Sequence, residues 1–493
     1  MKNEVSNGSS IPVNYEDRAA IEAFLAKNSG QPVVAVQGLG FVGAVMALVC
    51  ANAIGNKYAV LGVDLLRPAT YSRVKLLNEG TFPLVADDPL IDIYYQNALR
   101  QGNLHATCDP VAYQYANVVV VDINLDVNKQ SDGKSELSGF DVDLTPFKAA
   151  MKTLGENCRE DVLILVETTV PPGTCQKVVK PILDEEFKKR GLNPGKYKLG
   201  HSYERVMPGP QYIHSIQSYP RVYSGIDERS ADAVESFLKT IIDTSQCELT
   251  RLGSTNATEM AKVLENSYRA MNISFVIEWT QFAEEAGVNL YEIVKAIRVR
   301  NTHANLMLPG IGVGGYCLTK DPLLASWSRT TMFNGAGMLD MSVKAVTQND
   351  KMPVYAFRRL KFLVDGLSGK RVAILGVSYR GDVGDTRFSP VEPFVKQLES
   401  DGAATICHDP YVDEWPELNR TVQQDLAEVL SASPDMLVIC AGHKLYSMDS
   451  TIDQINAVPQ RLFIFDTIGL LSQQHVNKLA TRHQVKVLGR GDI

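Results

Sequence analysis

Several things are scarce in this 493-residue sequence, and each shortage closes off a class of function. The eight cysteines, at 50, 108, 158, 175, 247, 317, 407 and 440, are scattered without a Cys-x-x-Cys pair. That usage indicates neither a zinc site nor a disulfide framework, so no metal is expected and a reducing compartment fits. Nowhere do about 18 apolar residues run together, so no membrane span or membrane partner is expected. Residues 1–30 are polar and partly acidic with no apolar core segment, which is unlike a signal peptide; the expectation is a cytoplasmic protein. Lysine and arginine never cluster and the net charge is −7, which argues against nucleic acid as the main partner. What remains, at 45% hydrophobic, 21% charged and 8% aromatic residues, is the composition of a globular protein. At this length it divides into roughly three domains.

Glycine is where the sequence becomes specific. In Pro309-Gly310-Ile311-Gly312-Val313-Gly314-Gly315-Tyr316-Cys317 the run of glycines strips a loop of side chains, which lets its backbone approach a ligand. Cys317 follows at once, and Lys320-Asp321 lies within a helical turn of it. A thiol near a cation on a tight loop is expected to ionise readily. On residue type alone a buried structural cysteine competes with that reading, and the glycine run tips the balance toward a site.

From the N-terminus, residues 1–30 form an arm with a short helix near residues 17–27. Residues 31–250 carry a strand at Pro32–Gln37, then Gly38-Leu39-Gly40-Phe41-Val42-Gly43 opening an apolar helix, then a second strand ending at Asp64. Strand, GxGxxG, helix and terminal acid in that order form a dinucleotide fingerprint. The first glycine makes the turn, the second admits the pyrophosphate, the third packs helix on strand, and the acid binds the ribose. Asp64 would repel a 2′-phosphate and favours NAD over NADP, with Arg67 as a nearby counterweight. Strands at Val118–Val121 and Val162–Val166 extend a parallel sheet, and the polar stretch 124–141 reads as a surface loop. Two loops stand out: Glu167-Thr168-Thr169-Val170-Pro171-Pro172-Gly173-Thr174 at the end of a strand, and Tyr203-Glu204-Arg205-Val206-Met207-Pro208-Gly209.

Residues 251–350 turn helical. Asn256 with Glu259 reads as a capping box, and a long helix runs on toward Gly287. Its apolar residues occupy much of the circumference, which predicts burial between domains or subunits. Lys262, Asn266 and Arg269, at i, i+4 and i+7, line one face and are expected to look into a cavity. Residues 351–493 begin a second α/β unit with strands at 371–376, 404–410, 436–440 and 462–466. It lacks GxGxxG, so nucleotide phosphates or bases are a better fit than a second dinucleotide. Tyr379-Arg380-Gly381-Asp382 and Asp385-Thr386-Arg387 follow its first strand.

Together, Gly38–Gly43, Val170–Thr174, Glu204-Arg205 with Pro208-Gly209, Lys262 with Asn266, Gly312–Cys317 with Asp321, and Gly376 through Arg387 resemble the UDP-glucose/GDP-mannose dehydrogenase family, in matching order from about residue 32 to 470. The resemblance implies two Rossmann-like α/β domains joined by a central helical domain whose long helix makes a homodimer or higher oligomer. It implies NAD-dependent, four-electron oxidation of the C6 hydroxyl of a UDP-sugar to the uronate, in surface polysaccharide precursor synthesis. Its catalytic set falls on Cys317 as covalent nucleophile, Lys262 and Asn266 as oxyanion partners, and Asp321, Glu204 and Thr169 around the hydrolytic water. NAD contacts fall on Gly38, Gly40, Phe41, Val42, Gly43, Asp64, Arg67, Thr169 and Arg387. Substrate contacts fall on Glu204, Arg205, Val206, Lys262, Asn266, Arg269, Arg300, Gly314, Tyr379 and Arg380.

Five departures accompany the resemblance. Arg380 stands for a usual lysine, Tyr316 for a histidine, Phe388 for a glutamate, Tyr203 for a proline, and Asp122-Ile123-Asn124 for Thr-Pro. Pro208 occupies the place of a second acid common in UDP-glucose enzymes, which resembles the branch acting on UDP-N-acetylhexosamines. Two other readings compete: a two-electron 3-hydroxyacid or 6-phosphogluconate type dehydrogenase, which needs neither Cys317 nor a second α/β domain, and a catalytically silent nucleotide-sugar sensor.

Overall fold

The computed structural model describes residues 11–12, 15–84, 88–131, 137–206 and 209–493. Its first sheet comprises β1 (Val33–Gln37), β2 (Ala59–Val63), β3 (Leu104–Thr107), β4 (Val118–Val121), β7 (Leu163–Val166), β8 (Lys198–His201), β9 (Arg221–Gly225) and β10 (Leu249–Arg251), with β5 (Val127–Ser131) and β6 (Leu137–Val142) set apart as a hairpin. The order is β10-β9-β8-β7-β4-β1-β2-β3, parallel except where β8 meets β9. β1 and β2 are buried along their whole length, which is why they read as unbroken apolar runs. Alternate residues serve opposite cores: Val33, Ala35 and Val119 pack on one face, Val34, Val36 and Val120 on the other. Strand order reverses between β1 and β4, so the crevice at their carboxyl ends is the place for a ligand. The arm's helix, Arg18–Lys27, docks through Ile21 and Phe24 on this domain.

Stretch 124–141 is not the plain loop its polarity suggested. β5 and β6 pair antiparallel with an irregularity between Gln130 and Ser131. The alternation is hidden in the sequence because the hairpin is held by polar contacts to other domains: Lys129 Nζ lies 3.0 Å from Asp350, and Trp327 Nε1 donates to Asp141 at 2.8 Å.

The central region is built on the 31-residue helix Thr255–Glu285, packed against helices Tyr316–Thr331 and Asp340–Leu363. Its cap is Ser254, whose hydroxyl accepts from Ala257 N, and not the Asn256–Glu259 box. Glu259 instead turns inward and accepts from Gly173 N at 2.6 Å and Cys175 N at 2.8 Å, fastening the Pro171-Pro172 turn to the helix. Burial pushes its carboxyl up to about 7 despite those donors. The helix is buried on one side alone. Met260, Leu264, Tyr268, Phe275, Trp279 and Phe282 are exposed along the other.

The second sheet contains β11 (Arg371–Leu375), β12 (Ala404–His408), β15 (Met436–Ile439), β16 (Phe463–Asp466) and β17 (Gln484–Val487), parallel and ordered β12-β11-β15-β16-β17; β13 (Glu414–Trp415) and β14 (Arg420–Thr421) form a small ribbon beside it. Its switch point lies between β11 and β15. The final strand, β17, alternates polar and apolar residues and escaped the sequence reading. The chain then returns to the long helix, where Gly489 N donates to Glu284 at 2.8 Å. No helix among the described residues is long and apolar enough to cross a membrane.

Candidate active site

At the first switch point the glycines occupy three different environments. Gly38 has φ +93°, and a Cβ there would come within 2.7 Å of Asp122 O. A Cβ on Gly43 would strike Gly38 O at 1.8 Å, so helix and turn touch through bare backbone. Gly40 has nothing within 4 Å of its missing Cβ and is the N-cap of helix Phe41–Ala51, with no side chain satisfying the first-turn N–H groups. Open space before uncapped N–H groups suits a diphosphate. Phe41 and Val42 are half-buried at the same helix start. Asp64 accepts from Leu39 N at 3.0 Å and Leu65 N at 2.7 Å at the rim of that space. The cation beside it is Arg73, 3.8 Å away, which the sequence reading passed over; Arg67 is exposed at the N-cap of the next helix.

Cys317 lies in the first turn of helix Tyr316–Thr331, behind Gly315 at φ +77°. The glycines before it are required by neighbours. A Cβ on Gly314 would meet Phe388 O at 2.4 Å, and one on Gly315 would meet the Tyr379 ring at 2.9 Å. Pro172 O accepts from Ser328 Oγ at 2.6 Å, so the Pro171-Pro172 turn is clamped between the long helix and the cysteine's helix. Thr169 is half-buried just before that turn, beyond the carboxyl end of β7.

Six side chains share one field here: Asn266, Asp321, Lys320, Lys262, Glu204 and Cys317. Asn266 Nδ2 donates to Asp321 Oδ2 at 2.6 Å, and Lys320 Nζ lies 3.1 Å from Asp321 Oδ1. Lys262 Nζ donates to Glu204 O at 2.8 Å and lies 3.7 Å from the Glu204 carboxylate. Burial opposes the charge on Lys262, but Glu204, Cys317 and Asp321 outweigh it and hold the ammonium above the usual lysine value. The Cys317 sulfur is accessible yet ringed closely by protein. That desolvation, with Asp321 next, pushes its thiol up to about 11 against the pull of Lys262. The expectation of a readily ionised thiol is thus reversed: one lysine and a helix start do not offset burial beside a carboxylate.

Other expected contacts fall differently. Arg269 is exposed, on the helical face of Lys262 and about 10 Å further along the axis. Arg205 is engaged with Pro220 O at 2.9 Å and Glu265 at 3.2 Å, and so braces its own loop. Val206 N donates to the Glu204 carboxylate. Arg300 is exposed at the start of the short turn Asn301–His303. Met207 and Pro208, and with them the sugar-branch signal, lie outside the described residues. Tyr379 is half-buried against the glycine loop, with Arg380 exposed beside it. Arg387 reaches furthest: its guanidinium pairs with Asp385 at 2.6 Å and stacks on Phe41 at 4.5 Å and Tyr316 at 4.7 Å, bringing all three domains together.

One cluster beside the site was not foreseen. Asp122 and Glu167 follow the adjacent strands β4 and β7, touch each other, and face Arg221, which ion-pairs with Glu167. Burial raises both carboxyls, and the Glu167 charge raises Asp122 further, while Arg221 pulls each the other way. The unusual Asp122 was the only signal for it.

Family models for the UDP-glucose/GDP-mannose dehydrogenases match in three blocks: the NAD binding domain at residues 33–242, the central domain at 256–345 and the UDP binding domain at 373–473. The chain is 30% identical to a UDP-N-acetyl-D-mannosamine dehydrogenase of Methanocaldococcus jannaschii, over 94% of this chain and 98% of that protein. A second one, from Pyrococcus horikoshii, is 28% identical over 93% of this chain and all of that protein. Its solved structure superposes with a TM-score of 0.76 at 28% identity, covering 94% of this chain and 100% of that one. That of NDP-N-acetyl-D-galactosaminuronic acid dehydrogenase from Methanosarcina mazei gives 0.75 at 25% identity, covering 96% and 98%.

Proposed function

The chain belongs to the UDP-glucose/GDP-mannose dehydrogenase family and is an NAD-dependent UDP-sugar dehydrogenase, and from that premise we propose that it oxidises the C6 hydroxyl of UDP-N-acetylmannosamine to the carboxylate through a covalent intermediate on Cys317. The observation that carries the reading is the convergence of Cys317, Lys262, Asn266, Asp321 and Glu204 from three separate elements into one field. The Gly38–Gly43 turn and Asp64 would hold NAD, which when bound would supply the hydride acceptor for each of the two oxidations.

The chain's own groups account for the rest. Lys262 and Asn266, one helical turn apart, steady the negative charge that develops on the C6 oxygen. After the first oxidation the Cys317 thiol adds across the aldehyde C=O: sulfur bonds to C6 and the proton ends on oxygen, giving a thiohemiacetal. A thiol held up to about 11 is protonated at neutral pH, so attack and proton transfer are concerted and no standing thiolate is exposed to oxidants. The second oxidation leaves a thioester. Water, held by Asp321 and Thr169 with Glu204 as base, hydrolyses it to the uronate and returns the thiol.

The N-acetylmannosamine assignment is supported by the names of the relatives and by proline at 208 in place of an acid. A proline leaves room and an apolar surface for an acetamido methyl. The exposed apolar stripe from Met260 to Phe282 supports a homodimer through the long helix, and light scattering should give twice the chain mass. The deciding experiment is NADH formation with UDP-N-acetylmannosamine, its gluco and galacto isomers, UDP-glucose and GDP-mannose. Two NADH per sugar and the highest kcat/KM for the manno sugar are expected, with Cys317→Ser forming no acid. One NADH per sugar would place the protein in the two-electron class, and UDP-glucose preferred over all acetamido sugars would overturn the substrate alone.

A further inference from the structure

Tyr203 is a large aromatic that the reaction as described leaves without a task. It is 2% exposed and follows β8 by two residues, in the loop that carries Glu204. The Lys262 ammonium sits 5.3 Å from its ring centroid, inside the range in which the face of an aromatic ring attracts a cation. The ring is itself fixed. Its hydroxyl donates to Glu265 Oε2 and accepts from Arg205 NH2, both at 3.4 Å, Arg205 donates to the same Glu265 oxygen at 3.2 Å, and the His201 ring lies tilted against it at 6.3 Å. Loop and long helix are clasped together around this one side chain.

We propose that Tyr203 is a positioning residue for Lys262: its ring face is the floor that holds the ammonium toward the C6 oxygen. The inference rests on the oxyanion role of Lys262 given above. Lysine is a compact charge on a flexible stem, with three donors and no preferred plane, so something must choose its direction. Glu204 O takes one donor at 2.8 Å. A second carboxylate in place of the ring would take another and neutralise the charge in an ion pair. A ring face stabilises the cation while accepting no hydrogen bond in the ordinary sense, so the donors directed at substrate oxygen are preserved. The Arg205–Glu265 clasp then locks the ring, as a site of this kind requires of its supporting residues.

The groups around Lys262 set the expected pH behaviour. Glu204 and Arg205 come from the loop, His201 from β8, Cys317, Lys320 and Asp321 from the cysteine's helix, and Glu265 from the lysine's own helix. The ring differs from the carboxylates in this set by favouring the cation without carrying a charge of its own. Weakening its face should lower the lysine's affinity for its proton while the rest stay in place.

The test replaces Tyr203 by phenylalanine and then by mono-, di- and trifluorophenylalanine, a series that drains the ring face at nearly constant volume, with Tyr203→Leu as the end point. Tyr203→Phe keeps the ring face and removes the hydroxyl clasp, so its kcat is the reference for the fluorinated series. Across the fluorinated series kcat should fall stepwise to about tenfold, roughly 1.4 kcal/mol, with KM for NAD unchanged and the alkaline limb of kcat moving to lower pH. NADH binding by fluorescence verifies that each variant is folded. A series flat in both kcat and pH profile overturns the proposal and leaves Tyr203 as packing. Should the wild-type chain oxidise none of the sugars, the reaction reading fails, and the proposal is then decided by the pH dependence of Lys262 acetylation, followed by mass spectrometry on the same series. A shift to lower pH with fluorination supports the stack, and identical curves refute it.

Discussion

The two sheet domains begin alike and then part. In each, the first strand ends on a glycine in the left-handed region, Gly38 at φ +93° and Gly376 at +92°, and each presses on the strand across its switch point. A Cβ on Gly38 would approach Asp122 O at 2.7 Å, and one on Gly376 would approach Ala441 N at 2.8 Å. In each, an acid follows the second strand. Asp64 accepts two backbone N–H groups and remains at the rim of an open cradle. Asp409 is fully buried: its Oδ2 accepts from Val377 N at 2.9 Å, Ser378 N at 3.1 Å and Ser378 Oγ at 2.6 Å and meets His443 Nε2 at 3.0 Å, while Oδ1 accepts from Tyr411 N. Burial opposes that charge, but His443, Ser378 and the backbone donors prevail and keep the Asp409 carboxyl below its usual range.

The difference teaches how one topology yields two kinds of site. Helix Phe41–Ala51 starts three residues after Gly38, and its N–H groups stay available for phosphate. After Gly376 the chain delays its helix until Val391 and fills its own cradle with Ser378 and Asp409. The loop gained by that delay sends Tyr379 against the glycines before Cys317 and Arg387 onto Phe41. The second domain has exchanged a dinucleotide cradle for an arm that reaches the first domain's cofactor turn.

The largest effect is expected from breaking the first cradle. Gly43→Ala drives a methyl into Gly38 O and should abolish NAD binding while costing on the order of 3 kcal/mol of stability, measured by calorimetry and NADH fluorescence. Gly40→Ala meets nothing and should leave stability unchanged. Next, Asp409→Asn should cost about 3 kcal/mol in chemical unfolding without altering cofactor choice, because its carboxylate serves the fold. The sign with pH follows. A carboxyl held below its unfolded value of about 3.9 stabilises above that pH and loses the contribution as pH falls through the folded value, so the acid limb of stability should flatten in the variant. Unchanged stability would make Asp409 a second ligand-facing acid.

Asp64→Asn tests the opposite role and should leave the melting temperature in place while raising the NADP to NAD ratio of kcat/KM about tenfold, roughly 1.4 kcal/mol. An unmoved ratio would mean that Arg73 already offsets the charge. The smallest effect is expected from Arg387→Lys, which keeps the charge but loses the planar stack on Phe41 and Tyr316. KM for NAD should rise about threefold, the size of a weak cation–π contact. No change in that KM would confine the arm to the second domain.

The dinucleotide turn was legible because its rules are local: a bare turn, an uncapped helix start and an acid at a strand end all lie within one βαβ stretch. Buried parallel strands such as β1 and β4 were legible as continuous apolar runs. β17 and the hairpin of β5 and β6 were not: β17 alternates polar with apolar residues, and the hairpin's Lys129 and Asp141 are paired with the central domain. The Asn256–Glu259 cap failed for a related reason: Glu259 has the right spacing for a capping box, but the Gly173–Cys175 backbone offers two buried donors, and Ser254 takes the cap.

By itself, then, the sequence determined the order of the domains and the NAD turn, because periodicity and glycine placement act over a few residues. Only the tertiary structure decided that burial raises the Cys317 thiol and the Asp122 and Glu167 carboxyls, that Arg205 braces its own loop, and that Tyr203 lies under Lys262. Each of these depends on burial and on charges carried by other elements, and the desolvation of a group is a property of everything folded around it.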